Sequence, residues 1–202
     1  MSDKTDQLSG IVLQMLESGE KYQRISIFSP LEGLITVMFR RSRKSPNQIK
    51  PDLFDSLECT LSSSSRDVGI PFVRECRIFL KRSYLALDHR IFFAAAEIAK
   101  IFLHNGIHIL DSVDHYNLLE NSLESLGRGH PQATRIKTLY LFAKLEGLPV
   151  KQAWFPGLNQ NLQSKARFIL GSSINEDSNF EDAEQILESL ILWLNSETEL
   201  KC

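Results

Sequence analysis

The chain has 202 residues, a formal net charge of −2 and a hydrophobic fraction of 43%. This length allows one large domain or two small ones, and the composition is that of an ordinary globular protein. No apolar run approaches the ~18–20 residues that a transmembrane helix needs, and the polar start, MSDKTDQLSG, lacks the apolar core of a signal peptide. We therefore expect an intracellular, cytoplasmic protein without a membrane partner.

The three cysteines, Cys59, Cys76 and Cys202, are an odd number and none belongs to a CxxC pair. A disulfide framework and a cysteine-based zinc site are therefore not indicated, and we expect reduced, partly buried thiols. The charge is uneven: residues 1–82 carry +3 and residues 83–202 carry −5. A polyanionic ligand would meet the N-terminal part.

Residues 10–61 are typical of β-strands. The runs GIVLQML, RISIFS and GLITVMF are short, rich in β-branched and aromatic residues, and separated by turn-forming segments. Pro30 to Gly33 forms a tight connection that predicts a hairpin between the second and third runs. In LFDSLECTL, alternating Leu57, Cys59 and Leu61 indicate a half-buried fourth strand, and four serines then predict a loop.

The segment PFVRECRIFLKR, residues 71–82, fits two structures. As a strand it places on one face Phe72, Arg74, Cys76 and Ile78. As a helix it places in one basic stripe Arg74, Arg77 and Lys81. We predict a fifth strand that runs into a helix.

Five short strands in roughly 80 residues predict a closed sheet, because closure buries one face and removes the exposed edges. An OB-type barrel is the common five-stranded solution, with an SH3-like barrel as the alternative. The predicted fold class is α+β with β before α: an OB domain over residues 1–80, followed by an all-α helical domain over residues 81–202.

Four long helices are predicted after the sheet. The first lies within YLALDHRIFFAAAEIAKIFLHNG and ends at Asn105-Gly106, and the second runs from Ser112 to Gly127. The third has Pro131 in its first turn and Gly147 after its last. The fourth begins at a capping box formed by Ser178 and Glu181.

The sequence contains no catalytic or metal-binding constellation that we recognise. GxxxxGK[ST], GxSxG, HExxH and GxGxxG motifs are missing. His104 and His108 are four residues apart, but Gly106 between them ends the helix and separates the two side chains. We predict a protein that is not an enzyme and that uses no cofactor or metal.

The most charged segment is FRRSRKS, in which Arg40, Arg41, Arg43 and Lys44 lie within five positions. Lysine and arginine attract a phosphate backbone by charge and counterion release without reading sequence. These four residues are the primary DNA-binding candidates. The secondary candidates are Lys21, Arg24, Arg74, Arg77, Lys81 and Arg82. Tyr22 or Phe39 is a candidate to stack on a base, with a place in the core as the alternative.

Several segments of the chain resemble the DNA repair protein RecO family. The family's N-terminal part has a Val-Leu strand, a Gly-Glu turn, a strand ending in Phe, a glycine and then a basic stretch. The counterparts in this chain follow in the same order: Val12-Leu13, Gly19-Glu20, Ile25 to Phe28, Gly33 and Arg40 to Ser45. KPDLFDSLECTL resembles the proline-led fourth strand. RIKTLYLFAKLEGLP, residues 135–149, resembles the helix that ends in a Leu-Gly-x-x-Pro turn.

The resemblance implies a nucleoid-associated mediator of DNA repair and recombination. Such a protein binds single- and double-stranded DNA, anneals strands and loads a recombinase, with a RecR-type protein and the acidic tail of single-strand binding protein as partners. Arg135, Lys137 and Lys144 lie on the helix most like the family's and are the candidates for that tail. Many members carry a four-cysteine zinc module after this helix, and VKQAWFPGLNQNLQSKARF has no cysteine. A protein-binding adaptor that ignores DNA is the alternative function.

Overall fold

A computed structural model describes residues 6–41, 50–62, 69–109, 112–174 and 179–202. In these ranges a five-stranded antiparallel sheet is followed by six α-helices, which confirms an α+β chain with β before α. The chain divides into two compact units. The first comprises Met1–Ser83 and Gly106–Tyr116, and the second comprises Tyr84–Asn105 and Asn117–Cys202. The first unit thus includes a segment beyond the predicted boundary at residue 80.

The strands are β1 Asp6–Ser18, β2 Tyr22–Ser29, β3 Gly33–Arg40, β4 Ser56–Leu61 and β5 Val73–Leu80. They lie in the order β3-β2-β1-β4-β5, and every pair of neighbours is antiparallel. Three hairpin-connected strands followed by a fourth beside the first form a Greek key, to which β5 adds an edge. Of the two structures predicted for residues 71–82, the strand is confirmed.

The predicted hairpin between β2 and β3 is also confirmed. Ser29 pairs with Gly33 at its closed end, and Gly33 has φ +66°. A positive φ is accessible to glycine at little steric cost, so this residue allows the chain to reverse tightly and sets the register of the hairpin.

The sheet is open, with β3 and β5 as its two edges. These edges approach each other at one point among the described residues, where a parallel bridge joins Met38 of β3 to Phe72, just before β5. The Met38 N–H donates a hydrogen bond of 2.8 Å to the Pro71 carbonyl at the same place. Full closure into a barrel stays a prediction.

Alternate side chains of the sheet point into one hydrophobic core. Nine buried residues form it: Leu8, Val12, Ile25, Ile27, Val37, Phe39, Leu57, Cys59 and Leu61. The predicted alternation in β4 is confirmed. Phe39 is 7% exposed, so it belongs to the core and is no longer a candidate for stacking on a base.

A bulge in β5 corrects the predicted face of this strand. Leu61 pairs with Val73 and Thr60 with Glu75, which leaves Arg74 as the extra residue. One inserted residue shifts the inward–outward alternation by one position. Consequently Val73, Cys76 and Ile78 pack against the core, whereas Arg74 is exposed.

Arg82 is buried, which corrects its prediction as a DNA contact. It is 1% exposed, and its Nη1 donates to the Phe54 carbonyl at 2.8 Å and to Ser56 Oγ at 2.7 Å. Its backbone N–H donates to Asp55 Oδ1 at 3.4 Å. A buried guanidinium needs such acceptors, and these tie the residue after β5 to the start of β4.

The helices are α1 His89–Asn105, α2 Ser112–Leu126, α3 Pro131–Leu145, α4 Val150–Ala153, α5 Gln160–Gly171 and α6 Ala183–Glu197. In the second unit, α3 packs against α1, α4, α5 and α6, and Phe102 and Phe142 meet edge to face at 5.1 Å between centroids. No helix in the described part of the chain is long and apolar enough to cross a membrane.

The predicted end of α1, the start and end of α2 and the Pro131 start of α3 are confirmed. The predicted start of the last helix is wrong. Helix α6 begins after Asp182, which has φ +55°, so Glu181 precedes the helix and cannot belong to its first turn. Ser178 lies outside the described residues. Helix α5 was not predicted, although Asn159 caps it by accepting the Leu162 N–H at 2.9 Å.

Replacing Arg82 tests the buried anchor. Arg82→Ala removes the donors to Phe54 and Ser56 and leaves a cavity, so we expect the free energy of unfolding to fall by about 2–5 kcal/mol. Urea denaturation followed by circular dichroism measures this. Lys81→Ala, at the exposed neighbour, is the control and should change stability by less than about 0.5 kcal/mol. Equal stability of the two variants would contradict the anchoring role.

Candidate nucleic-acid interface

One end of the outer face of β2 and β3 carries aromatic and basic side chains. Because Ile25, Ile27 and Val37 point into the core, the alternating residues beside them point outward. Two cross-strand pairs result: Tyr22 opposite Arg40, and Arg24 opposite Met38. Leu16 of β1 lies on the other side of Arg24. With Phe72, these residues are called the outer patch: Leu16, Tyr22, Arg24, Met38, Arg40 and Phe72.

Phe72 joins this patch from a distant part of the chain. The parallel bridge puts it beside Met38, and its ring meets that of Tyr22 at 5.4 Å between centroids, with 72° between the ring planes. Phe72 is 41% exposed. Sequence reasoning considered Phe72 only in the alternation of a strand, because no local signal connects it to Tyr22.

Three predicted DNA-binding residues lie in or beside the outer patch. Arg24 and Arg40 are exposed members of it, and Lys21 is exposed in the turn between β1 and β2. Within the described ranges, neither Lys21 nor Arg24 has a carboxylate within ion-pair distance. The patch therefore presents positive charge next to two aromatic rings.

The basic cluster after β3 is only partly described. Arg41 Nη1 lies 2.7 Å from Glu17 Oε1, and the Arg41 N–H donates to the Lys21 carbonyl at 2.8 Å. Both side chains of this ion pair are exposed, at 42% and 77%, so water screens it and the pair is weak. Arg43 and Lys44 lie outside the described residues.

The basic residues predicted in and just after β5 lie in different environments. Arg74 is exposed at the bulge, and Arg77 is exposed opposite Glu58 on β4. Lys81 is exposed beyond the end of β5, whereas Arg82 is buried, as described above. Only Arg74 lies near the Phe72 end of this strand.

Two of the three predicted partner-binding residues make contacts inside the helical unit. Arg135 Nη2 lies 3.5 Å from Glu97 Oε2, and its guanidinium sits 5.8 Å from the Phe93 ring centroid. The Lys137 Nζ donates to the Ser172 carbonyl. Burial lowers the pKa of Arg135 and of Lys137. Lys144 is exposed near the end of α3.

The helical unit also contains a cleft of about 310 Å³, lined by Lys165, Phe168 and Phe180 among others. Lys165 Nζ lies 2.5 Å from Asp182 Oδ2 and 3.3 Å from Glu181 Oε2. The hydrogen bond to Asp182 raises the pKa of Lys165. Its charge is therefore balanced within the unit, and the described residues that line the cleft include no other cation to attract a nucleic acid.

Cys59 and Cys76 lie directly opposite each other on β4 and β5. Cys59 is buried and Cys76 is half-buried. The pKa of Cys59 is raised by its hydrogen bond with Cys76 and by burial. The same hydrogen bond lowers the pKa of Cys76. Burial raises the pKa of the third thiol, Cys202, to about 11. Among the described residues no three His, Cys, Asp or Glu side chains are placed to hold a metal.

These shifts predict selective alkylation of Cys76. The thiolate is the reactive form, so in the native protein at pH 8 iodoacetamide should label Cys76 first, Cys202 slowly and Cys59 only after unfolding. Peptide mass spectrometry of time points measures the order. Labelling of Cys59 at the rate of Cys76 would contradict the cross-strand arrangement.

No protein-family model matches the chain, and no curated protein matches it. Its function therefore has to be inferred from the outer patch and from the fold.

Proposed function

We propose that the chain is a RecO-like DNA-binding protein that acts in DNA repair and recombination without catalytic activity of its own. The observation that carries this proposal is the outer patch, where exposed Arg24 and Arg40 flank the rings of Tyr22 and Phe72. Cytoplasmic location at the nucleoid belongs to the same proposal.

The topology of the sheet supports an OB-type domain. OB domains are five-stranded, partly open Greek-key barrels that bind oligonucleotides on the face of strands 2 and 3 and on the loops between strands 1 and 2 and between strands 4 and 5. Here the patch lies on β2 and β3, and Lys21 lies in the β1–β2 turn. Phe72 ends the β4–β5 connection, where the bridge to Met38 begins to join the two edges.

The binding proposed is electrostatic and independent of sequence. Guanidinium groups bind phosphate oxygens through forked hydrogen bonds, and each phosphate neutralised releases counterions, which makes affinity fall with salt. The outer patch offers Arg24 for such contacts, with Lys21 beside it and the exposed Arg40 on the neighbouring strand. Such binding serves the annealing of complementary strands and the loading of a recombinase, which require contact with any sequence.

Protein partners are assigned to the helical unit. A RecR-type protein and the acidic tail of single-strand binding protein are the partners that the family resemblance suggests. Lys144 is the exposed candidate for an acidic tail, since Arg135 and Lys137 are held by Glu97 and Ser172. The second candidate function, an adaptor that binds only proteins, is favoured by the ion pair that engages Arg41 with Glu17.

Reversing the basic cluster tests DNA binding. We expect a variant with Arg40, Arg41, Arg43 and Lys44 changed to Glu to lose most affinity for single-stranded DNA while it stays folded, because repulsion replaces attraction to phosphate. Gel shifts at two salt concentrations measure the loss. Reversal of exposed Lys100, Lys151 and Lys201 in the helical unit is the control. A wild-type protein without a salt-sensitive complex would be an adaptor.

Neutralising Glu17 should strengthen DNA binding. Glu17→Gln removes the carboxylate that holds Arg41, so we expect a tighter complex with single-stranded DNA and an almost unchanged melting temperature, since exposed ion pairs contribute little stability. Fluorescence anisotropy measures the affinity. Glu120→Gln, in the helical unit, is the matched control; a Glu17→Gln affinity no higher than that of this control would show that Arg41 does not contact DNA.

A further inference from the structure

We infer that Tyr22 and Phe72 form a stacking site for unpaired nucleobases, so that the preferred ligand of the outer patch is single-stranded nucleic acid rather than duplex. This inference rests on the proposed function and adds to it the form of the ligand. It is carried by the geometry of the two rings, by the 41% exposure of Phe72 and by the charges beside them.

The two rings meet edge to face, with 72° between their planes. In such a pair, the ring that offers its edge keeps both of its own faces clear of its partner. Phe72 is 41% exposed, although the Phe39 side chain on the neighbouring β3 is 7% exposed. An aromatic ring that served the core would be buried as Phe39 is, whereas Phe72 holds apolar surface in water beside a second ring.

The charges around the rings suit a phosphate backbone. Directly opposed residues on antiparallel strands have Cβ atoms about 4.5–5.5 Å apart, and Tyr22 is opposed to Arg40 while Arg24 is opposed to Met38. A base stacked on either ring would thus hold its phosphate within reach of a guanidinium. No member of the outer patch carries a carboxylate, which favours a polyanion over a basic or neutral surface as the occupant.

The rings also explain why unpaired bases are selected. In a duplex the bases stack on each other and offer only their edges, so a ring fixed on a sheet reaches no base face. In a single strand each base has an accessible π-face, and stacking on an aromatic side chain is tolerant of sequence. Leu16 and Met38 extend the apolar surface beside Arg24, where the base or sugar next to the stacked base can rest.

The test compares two ligands on the full chain. Fluorescence anisotropy is measured with a labelled single-stranded thymidine 20-mer and with a 20-base-pair duplex. Phe72→Leu and Tyr22→Leu keep apolar bulk and remove the ring, and each should weaken single-strand binding roughly 5- to 100-fold. Duplex binding should change less than about twofold. Phe79→Leu is the matched control, because Phe79 is 54% exposed on β5, the strand that follows Phe72, and lies outside the patch. It should change neither.

A second measurement separates stacking from charge. The slope of log affinity against log salt should stay unchanged in Phe72→Leu, whereas Arg24→Gln should lower it by about 0.7, the value for one phosphate contact on a single strand. A 2-aminopurine placed within the single strand should be quenched on binding, and Phe72→Leu should reduce the quenching. Far-ultraviolet circular dichroism verifies that each variant is folded.

The outcomes distinguish this inference from the proposed function. If the wild type shows no salt-sensitive complex with either ligand, the proposed function fails and the stacking site fails with it. If the wild type binds DNA but Phe72→Leu and Tyr22→Leu bind the single strand normally, only the stacking site is overturned. Equal losses on single strand and duplex also overturn it, since the rings would then act on the fold of the patch.

Discussion

The hydrogen bond of 2.8 Å from the Met38 N–H to the Pro71 carbonyl is the constraint on which the outer patch depends. It belongs to the bridge that holds the two edges of the sheet together at one point. Phe72 is the residue next to this bond, and the bridge places its ring against Tyr22. Without it, the segment before β5 would lose its direct hydrogen bond to β3, and the ring of Phe72 would be held less firmly against Tyr22.

Three arginines of the sheet unit show that surroundings, more than residue type, set the role of a basic side chain. Arg82 is enclosed and bound by the Phe54 carbonyl and Ser56, so it anchors the segment after β5 to the start of β4. Arg41 is exposed but held by Glu17. Arg24 is exposed on the outer face and, within the described ranges, has no carboxylate at ion-pair distance, so it keeps its charge for a ligand.

Aromatic rings give the proposed contact a property that positive charge alone does not supply. A surface that depended on charge alone would bind any polyanion and would weaken steeply with salt. Aromatic stacking adds affinity that salt does not screen and that a duplex cannot use. The C-terminal helix α6 carries Glu184, Glu188 and Glu197 and no lysine or arginine, so its own charge is unfavourable for DNA. This charge disfavours α6 as part of the proposed contact.

The sequence by itself determined the strands, their hairpin and most helix boundaries, because these depend on neighbours in the chain. Examples are the alternation of Leu57 and Cys59 in β4, the turn at Gly33 and the proline at the start of α3. It also named Arg24 and Arg40 as DNA-binding candidates and Tyr22 as a candidate stacking ring, and the structure leaves both arginines exposed. The bulge at Arg74 and the enclosure of Arg82 were decided only by the tertiary structure. A bulge shifts the alternation without a local signal, and burial depends on what the fold brings around a side chain. The pairing of Phe72 with Tyr22 was decided in the same way, because it requires two edges of a sheet to meet in space.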